Sequence, residues 1–391
     1  MHHRPSGTNN PGQRCDLSGN LKNLVVGAGI SGAVVARKIA EEWTEPVTVV
    51  EARDHIGGNL HDCRRDEVMV QRYGPHIFHT NNEEVWKFLG HFTEWWPYQH
   101  RVLGFVDGQQ IPIPFNLNSL RMVFPKTLAD RLEIKLLKKF GFGTNVSLPD
   151  LPRNDEDLNF LAEYVFQKVF LGYTRKQWGL PPAAIDPAVF ARVPAVRISR
   201  DDRYFLDRYQ GIPLHGYTAM VQKLLAHKNI HVHLNTPFAR DMPYDRLFWT
   251  GSPDEFFENK LGSLPYRSVA FDFLTLARDK FQKVATVNYP NDHDFTRITE
   301  YKHFLDDRSD GTIISCEYPA DWCAGVNDRQ YPIENRKNAA LHASYKAMAK
   351  GFSNVYFLGR LGDYKYYNMD EAIARAMAMV KELANSLKEN V

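Results

Sequence analysis

Four cysteines in 391 residues are too few and too scattered to hold a fold together. Cys15, Cys63, Cys316 and Cys323 show no C-x-x-C spacing. That excludes a disulfide framework and a zinc site, and it fits a reducing, cytoplasmic compartment. No apolar run is long enough to span a bilayer, so no membrane role is expected. Neither sign of charge dominates. The 48 Lys and Arg against 46 Asp and Glu leave +2, too balanced for nucleic acid or an anionic membrane surface. Internal repeats and low-complexity segments are absent as well. Residues 1–20 are polar, rich in Gly, Pro and Asn, and lack the apolar middle of a signal peptide, so they read as a disordered leader.

What is present begins with glycine at a particular spacing. Leu24-Val25-Val26 reads as a buried parallel strand, and Gly27-Ala28-Gly29-Ile30-Ser31-Gly32 follows at the G-x-G-x-x-G spacing where a helix begins. Gly27 permits the tight turn, Gly29 leaves room for a pyrophosphate, and Gly32 lets helix and strand pack closely. The helix N-terminus supplies unpaired N–H groups and a positive dipole end for phosphates. Val47 to Val50 make the next strand, and Glu51 ends it where a carboxylate can accept from ribose hydroxyls. Glu51-Ala52-Arg53 followed by Gly57-Gly58-Asn59 resembles the pattern of many flavoproteins, which implies FAD and not NAD.

The remaining chain divides by periodicity. Asp107-Gly108 between two apolar arms is a hairpin, with Pro112 and Pro114 marking its second arm as an edge strand or a wall facing a ligand. Leu117 to Gly172 is helical in pattern, broken at Gly141-Phe142-Gly143. Residues 173–204 carry too many prolines for one helix and read as a mobile loop. Alternating runs between 263 and 349 predict an antiparallel sheet, and Val355 to Gly359 a strand followed by a long amphipathic helix. The expected architecture is α/β. A discontinuous Rossmann-like FAD-binding domain (21–80, 210–262, 350–391) holds an inserted helical domain (81–100, 117–200) and an antiparallel β-sheet domain (101–116, 201–209, 263–349).

Five further segments are more specific. Tyr73-Gly74-Pro75-His76-Ile77-Phe78-His79-Thr80, Gly172-Tyr173-Thr174-Arg175-Lys176-Gln177-Trp178-Gly179, Tyr209 to Pro213, Thr296 to Glu300 and Gly359 to Tyr366 occur in an order and spacing that resembles UDP-galactopyranose mutases of the bacterial type. The resemblance covers the chain from Leu24 to the last helix. It implies interconversion of UDP-galactopyranose and UDP-galactofuranose by attack of reduced FAD N5 on the anomeric carbon, with no net redox. It further implies an external reductant, a homodimer and supply of galactofuranose for cell-wall or surface polysaccharide.

The same resemblance implies site residues. Arg192 and Arg297 match the family's arginines for the diphosphate, and an always-charged bidentate donor suits a departing diphosphate. Tyr204, Tyr331 and Tyr366 match hydroxyl donors to the phosphates, although each taken singly fits a core tyrosine equally well. Tyr173, Trp178 and Asn288 fall on the uridine side, Thr174 among the substrate-binding residues, and Asn116 and His100 near the sugar. His79 is implied at the isoalloxazine. Glu317 matches a carboxylate near the site and reads equally as a solvated strand acid. Asn368 departs from the aspartate of many relatives, though either side chain caps a helix. For the cofactor the implied set is Gly27, Gly29, Ile30, Ser31, Gly32, Glu51, Ala52, Arg53, Gly58, Asn59, His76, Ile77, Gly359, Arg360 and Met369. His76 and His79 have H-x-x-H spacing but no third ligand at a supporting distance, so no metal is expected. Two rival readings are an amine-oxidase-like FAD oxidoreductase, for which no second G-x-G-x-x-G is found, and a non-catalytic nucleotide-sugar-binding flavoprotein.

Overall fold

Short apolar runs with no alternation make strands that are buried on both faces, and here they form one parallel sheet. The structure, a computed structural model, describes residues 22–179 and 194–389. The predicted leader and Arg192 lie outside the described residues. The parallel sheet has the order Ile230–His233, Val47–Val50, Asn23–Val26, Arg246–Trp249, Val355–Phe357. Its strands come from both ends of the chain and the middle, as the discontinuous reading predicts.

Helix Ile30–Lys38 packs on one face of this sheet through Ala33, Val34 and Ala36. Ile373, Ala376 and Val380 of the last helix, Met369–Glu389, and Met220 and Leu224 of helix Tyr217–Leu225 share that core. Two boundaries move. Helix Glu83–Gly90, expected in the helical insertion, buries Val85, Phe88 and Leu89 in this same core. Helix Arg336–Ala349, expected with the antiparallel domain, buries Tyr345 against Leu24, Leu247 and Val355 on the opposite face. Periodicity reports that a helix has an apolar side and is silent about which sheet it covers.

The second large sheet has seven strands: Tyr331–Pro332, Tyr266–Leu276, Thr312–Asp321, Arg297–Glu300, Thr286–Asn288, Val102–Val106 and Gln109–Ile113. All neighbours are antiparallel except Thr286–Asn288 with Val102–Gly104, which run parallel. The Pro-containing arm is the edge strand, as predicted, and Asp107 and Gly108 both adopt positive φ in the hairpin turn. Helices Leu117–Val123, Lys126–Phe140 and Glu156–Val165 bury Leu120, Leu132, Leu136 and Leu161 against Val102, Ile111 and Ile113 of that hairpin. The region read as one mobile loop is divided. Gly172–Trp178 is helix, and Val196–Arg197 pairs with Asn145–Val146, a strand absent from the sequence reading. A separate three-stranded sheet pairs Tyr209–Pro213 antiparallel with Phe78–Thr80 on one side and Trp95–Pro97 on the other.

Candidate active site

The parallel strand order reverses between Asn23–Val26 and Arg246–Trp249, and ligands of open α/β sheets sit at such switch points. A cleft of about 510 Å³ opens there. Its lining includes Gly27, Gly29, Ile30, Ser31, Gly32, Glu51, Ala52, Arg53, Gly58, Asn59, His76, Gly359, Arg360 and Met369. The residues fit a dinucleotide. Helix Ile30–Lys38 starts at Gly29 with no side-chain cap, so its first N–H groups are available to an anion. A Cβ on Gly32 would overlap the Gly27 carbonyl oxygen, which explains the third glycine. The two glycine turns cross backbone to backbone: Gly57 N donates to Ala28 O at 2.9 Å. A Cβ on Gly58 would meet Gly29 Cα at 3.0 Å. Glu51 accepts from Ala28 N (2.8 Å) and Arg53 N (2.9 Å), which binds both turns and leaves further lone pairs for hydroxyls. Ile77 is the exception. It is buried with Val70, Ile212 and Ile313, away from the cleft.

Next to the cleft, the seven-stranded sheet presents a polar row. Asn288 pairs with Arg297, and Arg297 with Glu317, so three strands place three polar side chains on one face. Arg297 Nε lies 2.7 Å from Glu317 Oε2. Burial opposes the charge on Arg297, but Glu317, with Tyr173 and Tyr331 close by, holds its pKa well above the ordinary value. Glu317 is 2% exposed, which removes the solvated-acid reading. Among the described residues Asn288 Oδ1 is buried with no hydrogen-bond partner, which leaves an acceptor available to a ligand.

Tyrosines surround this row. Burial pushes the hydroxyls of Tyr173, Tyr204 and Tyr331 up, so they stay protonated donors near neutral pH. The Tyr331 ring is 5.6 Å from that of Tyr366 and 6.5 Å from that of Trp178. Arg360 closes the link to the cleft: its guanidinium is 5.2 Å from the Tyr366 ring and donates to Tyr367 O at 2.7 Å. Burial first, then Arg360 and Arg297, push His76 down to about 3. Its Nδ1 lies 2.8 Å from Gly74 O, an acceptor only, so the neutral ring carries its proton there. Burial, with Arg297 and His79 nearby, also pushes His100 down to about 3.

Some predicted residues do other work. Asn116 Oδ1 accepts from Asn118 N and Ser119 N, and its Nδ2 donates to Asp202 Oδ1 at 2.8 Å. The amide is spent capping helix Leu117–Val123, not facing a sugar. His79 stacks on Phe205 at 3.6 Å, and its Nδ1 is 2.9 Å from Asp207 Oδ2, so His76 is the histidine of the cleft. Asn368 lines the cofactor cleft, and its N–H donates to Glu371 Oε2 at 2.8 Å. Thr174 is buried in its helix. Helix Glu83–Gly90 is capped by Asn82.

Sequence reasoning missed Arg267, 3% exposed, which donates to Gln177 O (2.9 Å) and Lys176 O (3.2 Å). It pins the end of the helix that carries Tyr173 and Trp178. An arginine at the second position of a β-rich run, Tyr266–Leu276, was the available signal. Thr236, Phe238, Arg240, Arg329 and Gln330 of the cleft were missed too, since loop residues have no periodicity. Among the described residues no group of three His, Cys, Asp or Glu could hold a metal, no helix is long and apolar enough to cross a membrane, and Cys63, Cys316 and Cys323 are unpaired.

A family profile described as UDP-galactopyranose mutase matches residues 168–366, and an NAD(P)-binding Rossmann-like profile matches 25–92. A probable UDP-galactopyranose mutase from Klebsiella pneumoniae is 38% identical over 94% of this chain and 96% of its own. A dTDP-fucopyranose mutase from Escherichia coli is 34% identical over 94% of this chain and 100% of its own. Among solved structures, a reduced UDP-galactopyranose mutase superimposes with a TM-score of 0.72 at 14% identity, covering 93% of this chain and 94% of that one. Identity sustained over nearly the full length, together with the shared fold, means that the chain belongs to the UDP-galactopyranose mutase family.

Proposed function

We propose that this protein interconverts UDP-galactopyranose and UDP-galactofuranose with FAD in the cleft and no net redox change. When bound in its two-electron-reduced form, FAD supplies a nucleophilic N5 for the anomeric carbon. The chain's residues do the rest. Arg297 stabilises charge growing on the departing diphosphate, with Arg192 assigned beside it by resemblance. Glu317 keeps the buried Arg297 compensated in the resting site. Tyr204, Tyr331 and Tyr366 add neutral donors to the phosphates. Tyr173 and Trp178 hold the uracil, and Asn288 reads its edge. Neutral His100 borders the sugar and neutral His76 the flavin without adding charge, Arg360 faces the reduced ring system, and Asn368 borders both ligands.

The orphaned Asn288 Oδ1 beside the Arg297–Glu317 pair is the observation that carries this reading. An oxidoreductase of the amine-oxidase type has no comparable use for a buried arginine ringed by protonated tyrosines. A homodimer in the cytoplasm, supplied with electrons by an external reductant and feeding cell-wall or surface polysaccharide synthesis, completes the proposal on the strength of resemblance. The test is to incubate dithionite-reduced holoprotein with UDP-galactofuranose and separate the products. Pyranose formed only by the reduced protein is expected. Absence of conversion by reduced, flavin-loaded protein overturns the reading.

A further inference from the structure

Asp328-Arg329-Gln330 runs between the two rims of the cofactor cleft and takes no part in the chemistry above. Just before it, Gly325 at φ +74° and Asn327 form a tight turn, with Asn327 Oδ1 accepting from Cys323 N at 2.8 Å and Nδ2 donating to Asp321 O at 3.0 Å. Arg329 is fastened to one rim. Its guanidinium is 2.7 Å from Glu255 and 3.3 Å from the fully buried Asp254, and it lies 4.0 Å from the Trp322 ring centroid. Asp328 reaches the other rim, where its Oδ1 is 3.0 Å from Arg53 Nη2. Arg53 is itself placed by Asn59 Oδ1 at 3.2 Å and by the Tyr73 ring at 4.7 Å. Arg53, Asn59, Glu255, Arg329 and Gln330 all line the cleft, so this short segment joins its two walls.

The two attachments are unequal. The Arg329 side chain is 10% exposed and held by two carboxylates and an indole. In the Arg53–Asp328 pair the side chains are 27% and 48% exposed, within reach of solvent and salt. A ligand lying between the rims leaves most readily when the weaker attachment opens and the segment swings on the stronger one.

We propose that the Arg53–Asp328 ion pair is a latch that slows release of FAD, with Arg329 as the fixed end of the strap. This rests on FAD being the occupant of the cleft. The test follows release of flavin from holoprotein after dilution, by recovery of free-flavin fluorescence, in the parent, Asp328→Ala and Asp328→Lys. Asp328→Ala is expected to release flavin about twofold to fivefold faster, as befits an exposed pair. Asp328→Lys, which sets like charge against Arg53, is expected to be faster still. The parent should approach the Asp328→Ala rate in about 1 M salt, where the screening length falls to about 3 Å, while Asp328→Ala itself responds little to salt. The thermal midpoint of the apoprotein should be the same in all three.

Unchanged release in both variants overturns the latch. So does faster release accompanied by a proportionate fall in the apoprotein midpoint, which would make the pair a fold contact only. Protein that cannot be loaded with flavin would instead overturn the cofactor assignment.

Discussion

The cofactor cleft and the cluster around Arg297 adjoin one another and are built by opposite means. The cleft is built on backbone, from two glycine turns, an uncapped helix start and the ends of parallel strands, with charged side chains such as Arg53, Arg329 and Arg360 along its walls. The Arg297 cluster is almost wholly side chain, gathered from three neighbouring strands, one short helix and three separate tyrosines. A backbone site tolerates almost no added volume. A buried side-chain site tolerates little change in charge, because each ion is balanced by one neighbour.

The sharpest way to break that contrast is Arg297→Ala. Turnover should fall about 10³-fold with flavin still bound, and stability should fall too, because Glu317 is left buried without its partner. Adding Glu317→Gln should recover most of the lost melting temperature and none of the turnover. Recovery of turnover in the double variant would place the chemistry elsewhere.

On the other side, Gly32→Ala adds one methyl against the Gly27 carbonyl. FAD titration of the apoprotein should show affinity about 10- to 100-fold weaker, from an overpacking cost of roughly 1–3 kcal/mol. Parental affinity would mean that the turn can relax and is less rigid than its contacts indicate.

Acid probes both regions together. His76 and His100 have pKa values lowered by burial to about 3, so the stability they contribute is complete above about pH 6.5 and is lost as pH falls toward 3. Near pH 5.5 the unfolded chain has gained about one proton per histidine, which shifts the folded-to-unfolded ratio about tenfold for each. Urea titrations at about pH 7.5 and 5.5 measure this, and His100→Gln should remove one share of the difference.

Asn288→Leu comes next. It removes an acceptor that has no partner, so the melting temperature should hold or rise, while KM for the nucleotide sugar rises about tenfold. A stability loss with KM unmoved would show that the oxygen serves the fold. The smallest effect is expected at Asn116→Ala. It should cost about 1 kcal/mol of stability, as the loss of a helix cap does, with KM unchanged; a large KM effect would return Asn116 to the sugar pocket.

Legibility in the sequence follows the same division. The glycine turns, Glu51 and the strands on either side were readable because their partners lie within one β-α-β unit. The cleft contains nearly all of that predicted set. The Ile77 side chain packs into the core, and a motif does not say which of its alternating residues faces inward. Asn116 caps its own helix through Asn118 N and Ser119 N, but the Asp202 carboxylate that takes its amide, like the Phe205 ring against His79, is distant in sequence. Arg267 went unnoticed because its carbonyl acceptors lie on an element that precedes it by about ninety residues, a separation no local pattern spans.

Local chemistry, then, was enough to determine a dinucleotide turn, a discontinuous parallel sheet, a Pro-bearing edge and the residue types a departing diphosphate requires. Only the tertiary structure decided that Glu317 neutralises Arg297, that Asn288 keeps a bare acceptor, that helices Glu83–Gly90 and Arg336–Ala349 cover the parallel sheet, and that Asp328 reaches Arg53 across the cleft. The reason is the range of the forces involved. Backbone conformation is set by neighbours a few residues away, whereas the burial of a charge and the identity of its partner exist only once distant strands have been brought into register.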